Sequence, residues 1–164
     1  MKTLVLAIGN KLLSDEGAGL HVLEALHQHH PETENISYLD GGTLSFTLAG
    51  EVEDADNLIV IDATQLKDEP GTVSCMVNEQ MDDFLGSCKR SVHEIGLLDL
   101  LDISRLTESL PERRALIGIQ PKTIDWGDTL TQQVEQAVPL AMQHVIDLLE
   151  KWQIEGVSND SLPK

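Results

Sequence analysis

Thr3-Leu-Val-Leu-Ala-Ile-Gly-Asn-Lys-Leu-Leu-Ser-Asp-Glu-Gly-Ala-Gly19 lies at the head of the chain, and its reading decides the fold. An unbroken apolar run ending in Gly9 has the composition of a strand covered on both faces, as in the middle of a parallel sheet. Polar and glycine residues follow. Ser14 and Asp15 suit the N-cap of a helix and Glu16 its first turn, after which Ala18, Val22, Ala25 and Leu26 recur at helical spacing. The unit is strand, turn, helix. Open α/β sheets bind ligands outside the carboxyl ends of their strands, so Asn10, Asp15 and Glu16 are expected at the active edge.

Working outward, Ile36–Leu39 reads as a short second strand with Asp40-Gly-Gly-Thr43 directly behind it. Adjacent glycines permit positive φ and close backbone approach, which suits a tight turn or a peptide-binding loop. Leu58-Ile-Val-Ile61 is a third apolar strand, and its end at Asp62 puts that carboxylate on the same edge as Glu16. Thr72–Val77 is the next strand. The segment before it, with Asp68-Glu-Pro-Gly71, is too short for a crossover helix, so this strand should run antiparallel to its predecessor and the sheet should be mixed.

Glu79–Ser87 reads as a short helix, and Ser91-Val-His93 as a loop opening a longer one through Ile95, Leu98, Leu101 and Leu106. Ala115–Ile119 is the last strand, with Gln120-Pro121 starting a loop. From Thr129 the longest helix begins, with Leu130, Val134, Val138, Ala141, Val145, Leu148 and Trp152 on one face and Pro139 predicting a kink. These elements predict a single α/β domain over residues 1–152 and a polar, flexible tail over 153–164.

The 164 residues suffice for one hydrophobic core, and an aromatic content of 3% means that this core is aliphatic. A formal charge of -17 excludes a nucleic-acid backbone as partner, since that would need clustered Lys and Arg. No stretch has the length of a membrane span, and Met1-Lys2 leads straight into a core strand, so a cytoplasmic protein with no membrane partner is expected. Cys75 and Cys88 are too few for a disulfide framework, which agrees with a reduced compartment.

Gly9, Gly17 and Gly19 match neither the dinucleotide nor the P-loop pattern, and Asp15 and Glu16 would repel a phosphate. His27, His29 and His30 lie where a helix end favours positive charge, a capping role. Glu16, Asp62 and His93 together offer two oxygens and one imidazole nitrogen with coordination positions to spare, a set that suits nickel, zinc or iron; their spacing alone leaves a structural role open. Cys88 and Ser91 lie close to His93 but outside any nucleophile elbow, so neither is expected to attack a substrate.

Ile8-Gly-Asn10, Ser14-Asp-Glu-Gly-Ala-Gly19, Asp40-Gly-Gly-Thr43, Ile61-Asp-Ala63, His93-Glu-Ile-Gly-Leu97 and Gly118-Ile-Gln-Pro121, in this order, closely resemble the motifs of the hydrogenase maturation endopeptidases. The likeness runs from residue 1 to about 152. It implies a five-stranded mixed sheet with one antiparallel strand between helical layers. It also implies an endopeptidase that removes the C-terminal extension of the nickel-loaded large subunit of a nickel-iron hydrogenase. By the same resemblance Glu16, Asp62 and His93 are metal-binding, Glu16 and Asp62 catalytic, and Asp40, Gly41, Gly42 and Thr43 contact the substrate. Nickel would arrive with the precursor, the one partner expected of a monomeric enzyme, and zinc or cadmium could replace it on the isolated protein. The alternative from another class is a nickel-sensing chaperone that holds the precursor without cutting it.

Overall fold

A computed structural model describes residues 1–42, 48–87 and 92–160, and the side chains of residues 92–95 and 157–160 lie outside the description. Five strands, β1 (Thr3–Ile8), β2 (Ile36–Gly42), β3 (Asn57–Ala63), β4 (Val73–Val77) and β5 (Arg113–Ile119), form one sheet in the order β2-β1-β3-β5-β4. The first three and β5 are parallel, and β4 is antiparallel to β5. The mixed sheet is as expected, with β4 pointing against β3. Its hydrogen-bonded neighbour, however, is β5. The reason lies in burial: β5 is fully buried from Ala115 to Ile119 and takes the inner position, whereas every residue of β4 is half-buried and suits an edge.

Strand alternation divides the core into two layers. Val5, Ala7, Ile59, Ile61, Ala115 and Ile117 face α1 (Ala18–His29) and α5 (Gln132–Asp160). Leu4, Leu6, Ile8, Leu58, Val60 and Leu116 face the layer of α2 (Ala49–Glu53), α3 (Glu79–Ser87) and α4 (Val92–Leu106). The result is a single three-layer α/β domain. Among the described residues no helix is long and apolar enough to cross a membrane.

Several boundaries move from their sequence-based positions. β2 extends to Gly42 and β3 passes through Asp62 to Ala63, because parallel neighbours supply the hydrogen bonds that extend them: Asp62 pairs with Gly118 and Ala63 with Ile119. His93 is the second residue of α4 and not part of a loop. The five-residue α2 is too short to leave a periodic signal. α5 starts at Gln132 and runs through Asp160, eight residues past Trp152, with Pro139 inside it. Near its far end the Arg113 guanidinium lies 3.3 Å from the Glu155 carboxylate, and the Gly156 backbone rests against the Met1 side chain.

The amino edge of the sheet is locked by charge. Arg114 on β5 donates through Nε and Nη2 to both oxygens of Asp82 on α3, at 3.0 and 2.5 Å, and Arg105 on α4 reaches the same carboxylate at 3.2 Å. Hydrogen bonding from Arg114 holds the Asp82 carboxyl below the usual range, against a smaller opposing effect of burial. A carboxyl depressed in this way stabilises the fold above its unfolded-state value of about 4, and that stabilisation is lost as pH falls through the lower folded value. Asp82→Asn should therefore cost about 2 kcal/mol at pH 7, measured by urea unfolding. The gap from wild type should narrow below about pH 3; an equal gap at both pH values would remove the ion pair from the account.

Candidate active site at the switch point of the sheet

From β1 the chain turns one way to β2 and later returns to the other side as β3, so the strand order reverses between β1 and β3. In open α/β sheets the crevice outside the carboxyl ends at such a point is where ligands bind. Here it is occupied by the turn between Gly9 and Gly17. Gly9 has φ +142°, and a Cβ there would strike the Glu16 carbonyl, so only glycine lets the turn fold back onto the strand end. Asn10 shapes the next step: its Oδ1 accepts the Leu12 N–H at 2.9 Å. At Gly19 a Cβ would lie 2.5 Å from the Ile61 carbonyl and 2.9 Å from that of Ile8. The start of α1 thus rests directly on the ends of β3 and β1 together.

This contact fixes two of the carboxylates named from sequence at one edge. Glu16, half-buried, sits in the 3-10 turn Ser14–Gly17 immediately before α1. Asp62 follows the Ile61 carbonyl on which α1 rests, and it is 2% exposed. Since Leu58 and Val60 face the α2, α3 and α4 layer, strand alternation puts Asp62 on that side too. The third candidate, His93, is in the first turn of α4. The far end of α4 belongs to the amino edge, where Thr107 bonds Glu53 and the Glu112 N–H meets the Asp56 carbonyl. A helix of 15 residues spans roughly 22 Å, about the length of a seven-residue strand, so the opening turn of α4 lies at the carboxyl edge. Among the described residues no three His, Cys, Asp or Glu side chains converge as metal ligands; the His93 side chain lies outside them.

Ser14 and Asp15 depart from their expected roles. Neither caps α1: the N-cap position is Gly17, with no side-chain cap bond. The Ser14 hydroxyl instead donates to the Asp125 carbonyl at 2.9 Å. Asp15 is fully buried and is not a group of the active edge. Its Oδ2 accepts the N–H groups of Lys122 and Thr123 at 2.9 and 3.1 Å and the Thr131 hydroxyl at 2.8 Å, while Oδ1 accepts the Thr131 N–H at 2.8 Å. Backbone bonds reinforce the join: Ser14 N–H to Gly127 carbonyl at 2.8 Å, Gly127 N–H to Leu12 carbonyl at 2.9 Å and Asp15 N–H to Thr123 carbonyl at 3.1 Å. Asp15 therefore welds the segment after β5 to the turn that carries Glu16. A local cap and a long-range anchor have the same sequence signal, a short acidic side chain before a helix.

Across β1, Asp40 is exposed and its Oδ1 accepts the Gly42 N–H at 2.8 Å. The pairing of β1 with β2 slips here, from Ala7 with Asp40 to Ile8 with Gly42, so Gly41 forms a bulge and Gly42 takes φ +50°. Thr43 lies outside the described residues, as do Cys88 and Ser91. Cys75 is half-buried on β4, and burial pushes its thiol pKa up, away from thiolate chemistry. Gln120 does more than begin a loop. It is 5% exposed, and its Oε1 accepts the Leu66 N–H at 2.7 Å, tying the ends of β3 and β5 together.

A three-layer α/β domain with a buried and a half-buried carboxylate at the carboxyl ends beside a parallel switch point has the architecture in which α/β proteins bind ligands at that edge. The chain belongs to the hydrogenase maturation protease family, whose model matches residues 20–148, and it is accordingly a peptidase. It is 33% identical to the hydrogenase 2 maturation protease of Escherichia coli, with 99% of each chain covered. It is 37% identical to the hydrogenase expression/formation protein HupD of Rhizobium leguminosarum bv. viciae, over 99% of this chain and 80% of that one. Among solved structures it is similar to the hydrogenase maturating endopeptidase HybD from E. coli, with a TM-score of 0.87 and 34% identity over 92% and 93% of the two chains.

Asp15→Ala would leave three part-buried backbone N–H groups without their acceptor. It should destabilise the fold by about 3 to 5 kcal/mol and release the amides of Lys122, Thr123 and Thr131 to hydrogen exchange. A loss under about 1 kcal/mol, with those amides still protected, would show that the backbone bonds alone hold the segment.

Proposed function

We infer that this peptidase removes the C-terminal extension of the large-subunit precursor of a nickel-iron hydrogenase, and that it recognises the precursor through the nickel the precursor already holds. The observation carrying the reading is the join of α1 to the ends of β1 and β3 through Gly19, which keeps Glu16 and Asp62 at one edge of the sheet. Family membership supplies the reaction class. His93, in the opening turn of α4 at that edge, completes a donor set of two carboxylates and one imidazole.

Nickel is part of the substrate in this scheme. Held by precursor thiolates, it still has affinity for oxygen and nitrogen donors, and Glu16, Asp62 and His93 supply them. Engagement docks the neighbouring peptide bond against the edge, so a precursor without metal lacks the anchor. Glu16 or Asp62 then takes a proton from the water that attacks the scissile carbonyl and returns it to the departing amine. No covalent intermediate with the enzyme is needed. Asp40 and the glycine bulge beside it offer an exposed carboxylate and accessible backbone for holding the extension. Zinc or cadmium, added to the protein alone, would take up the same donors, with water in the remaining positions.

Three variants test the donor set. Glu16→Ala, Asp62→Asn and His93→Ala should each slow processing of nickel-loaded precursor by about a hundredfold or more, with thermal unfolding still cooperative. Asparagine is chosen at Asp62 because that side chain is buried within β3. Combining two variants should add little, since donors to one metal act as a unit. The readout is mass loss at the precursor's C-terminus. Wild-type cutting of nickel-free precursor at the same rate would overturn recognition through the metal, and wild-type binding without any mass loss would identify a chaperone.

Cys88→Ala and Ser91→Ala, singly and together, should process nickel-loaded precursor within a few-fold of wild type. A covalent adduct of the precursor on either side chain, trapped by acid quench and seen by mass spectrometry, would replace the water mechanism by a nucleophilic one.

A further inference from the structure

The segment that Asp15 anchors carries an apolar surface for which the scheme above has no use. Trp126 is 81% exposed, Ile124 58% and Leu12 57%. Single exposed apolar side chains are ordinary, but these three lie on two segments joined by backbone hydrogen bonds. Leu12 and Trp126 flank the backbone join in which the Gly127 N–H donates to the Leu12 carbonyl and Leu13 bridges Gly127. Leu12 is also four residues from Glu16 in the same turn. In a chain with only two tryptophans, one is buried in the core and the other is held out in water at the rim of the catalytic edge.

Anchoring removes much of the entropic cost of using such a side chain, because a loop already fixed loses little further freedom on binding. Tryptophan combines large apolar area with few rotamers and is enriched among side chains that dominate protein interfaces. Exposed Asp125 and Asp128 border Trp126 directly, whereas the Lys11 ammonium beside Leu12 is paired with Glu24 and exposed Lys122 lies beyond Thr123, so the immediate rim of Trp126 is acidic. The complement is an apolar segment flanked by cationic residues.

We propose that Trp126, with Ile124 and Leu12, is the docking surface for an apolar, basic-flanked segment of the folded precursor, distinct from its nickel and its cleaved bond. The proposal rests on the precursor being the substrate. The surface sets affinity and leaves the chemical step alone. Docking beside the turn that carries Glu16 brings the precursor to the edge before its metal is engaged.

The test is equilibrium binding of fluorescently labelled, nickel-loaded precursor, with cleavage followed in parallel. Trp126→Ala should weaken binding and raise KM by about tenfold or more while kcat stays within about threefold. Trp126→Phe should restore most of the affinity, and Trp126→Ala/Ile124→Ala should weaken it further. Leu106→Ala and Ile154→Ala serve as controls, since these residues are 85% and 69% exposed but lie towards the amino edge; both should bind within twofold of wild type. Unchanged affinity of Trp126→Ala overturns the proposal, as does equal weakening by Leu106→Ala. So does wild-type self-association that Trp126→Ala abolishes without affecting precursor binding, which would assign the surface to a second copy of this chain. If wild type binds precursor but never cuts it, the peptidase reading fails and the Trp126 comparison still decides docking. If wild type does not bind it, both fail.

Discussion

Four hydrogen bonds converge on the buried carboxylate of Asp15, and much of the carboxyl edge of the sheet depends on them. A buried carboxylate is tolerated only when its lone pairs are filled, and here backbone amides and a threonine hydroxyl from residues 122–131 fill them. The same bonds satisfy amides that precede α5 and have no helical partner of their own. One side chain thus answers two needs, and a turn far away in sequence becomes continuous with the segment leaving β5. Glu16 is the next residue. Its position is inherited from that anchor on one side and from the contact of Gly19 with two strand ends on the other.

Charge is distributed to match. Of the arginines described, Arg105, Arg113 and Arg114 are all engaged at or near the amino edge, with Asp82, Asp102 and Glu155. The carboxyl edge carries Glu16, Asp62 and Asp40, with the Lys11 ammonium there paired to Glu24 and Lys122 exposed beyond the end of β5. Carboxylates brought together in partly dry surroundings repel one another and gain from a cation arriving between them. On the proposed function that cation is carried by the substrate, so affinity for a loaded precursor would be built into the edge. The rigid scaffold matters here, because donor atoms must be held to within about half an ångström to coordinate usefully.

The alternation of β3 settles which side of the sheet Asp62 faces. Ile59 and Ile61 belong to the layer of α1 and α5, Leu58 and Val60 to that of α2, α3 and α4, and Asp62 continues the second series. It therefore shares a face with α4, whose second residue is His93. A shift of one residue in the register of β3 against β1 and β5 would turn Asp62 to the opposite layer. Strand pairing, set by aliphatic side chains of the core, decides which way the Asp62 carboxylate faces.

Apolar runs and their breaks were enough to place the strands, the long helices and the edge carrying Glu16 and Asp62, since buried parallel strands leave unbroken Val, Ile and Leu and end where polar residues begin. The antiparallel sense of β4 was also legible, from a connection too short for a helix. Its place beside β5 was not, because neighbours in a sheet are chosen by burial and pairing across distances that no local window spans. Asp15 shows the same limit. Its spacing before α1 is that of a cap, yet its partners are more than a hundred residues away, at Lys122, Thr123 and Thr131. Trp126 lies in the segment that this anchor holds. Short-range periodicity was carried by the residues themselves; which distant backbone completes a buried charge was decided only when the chain closed on itself.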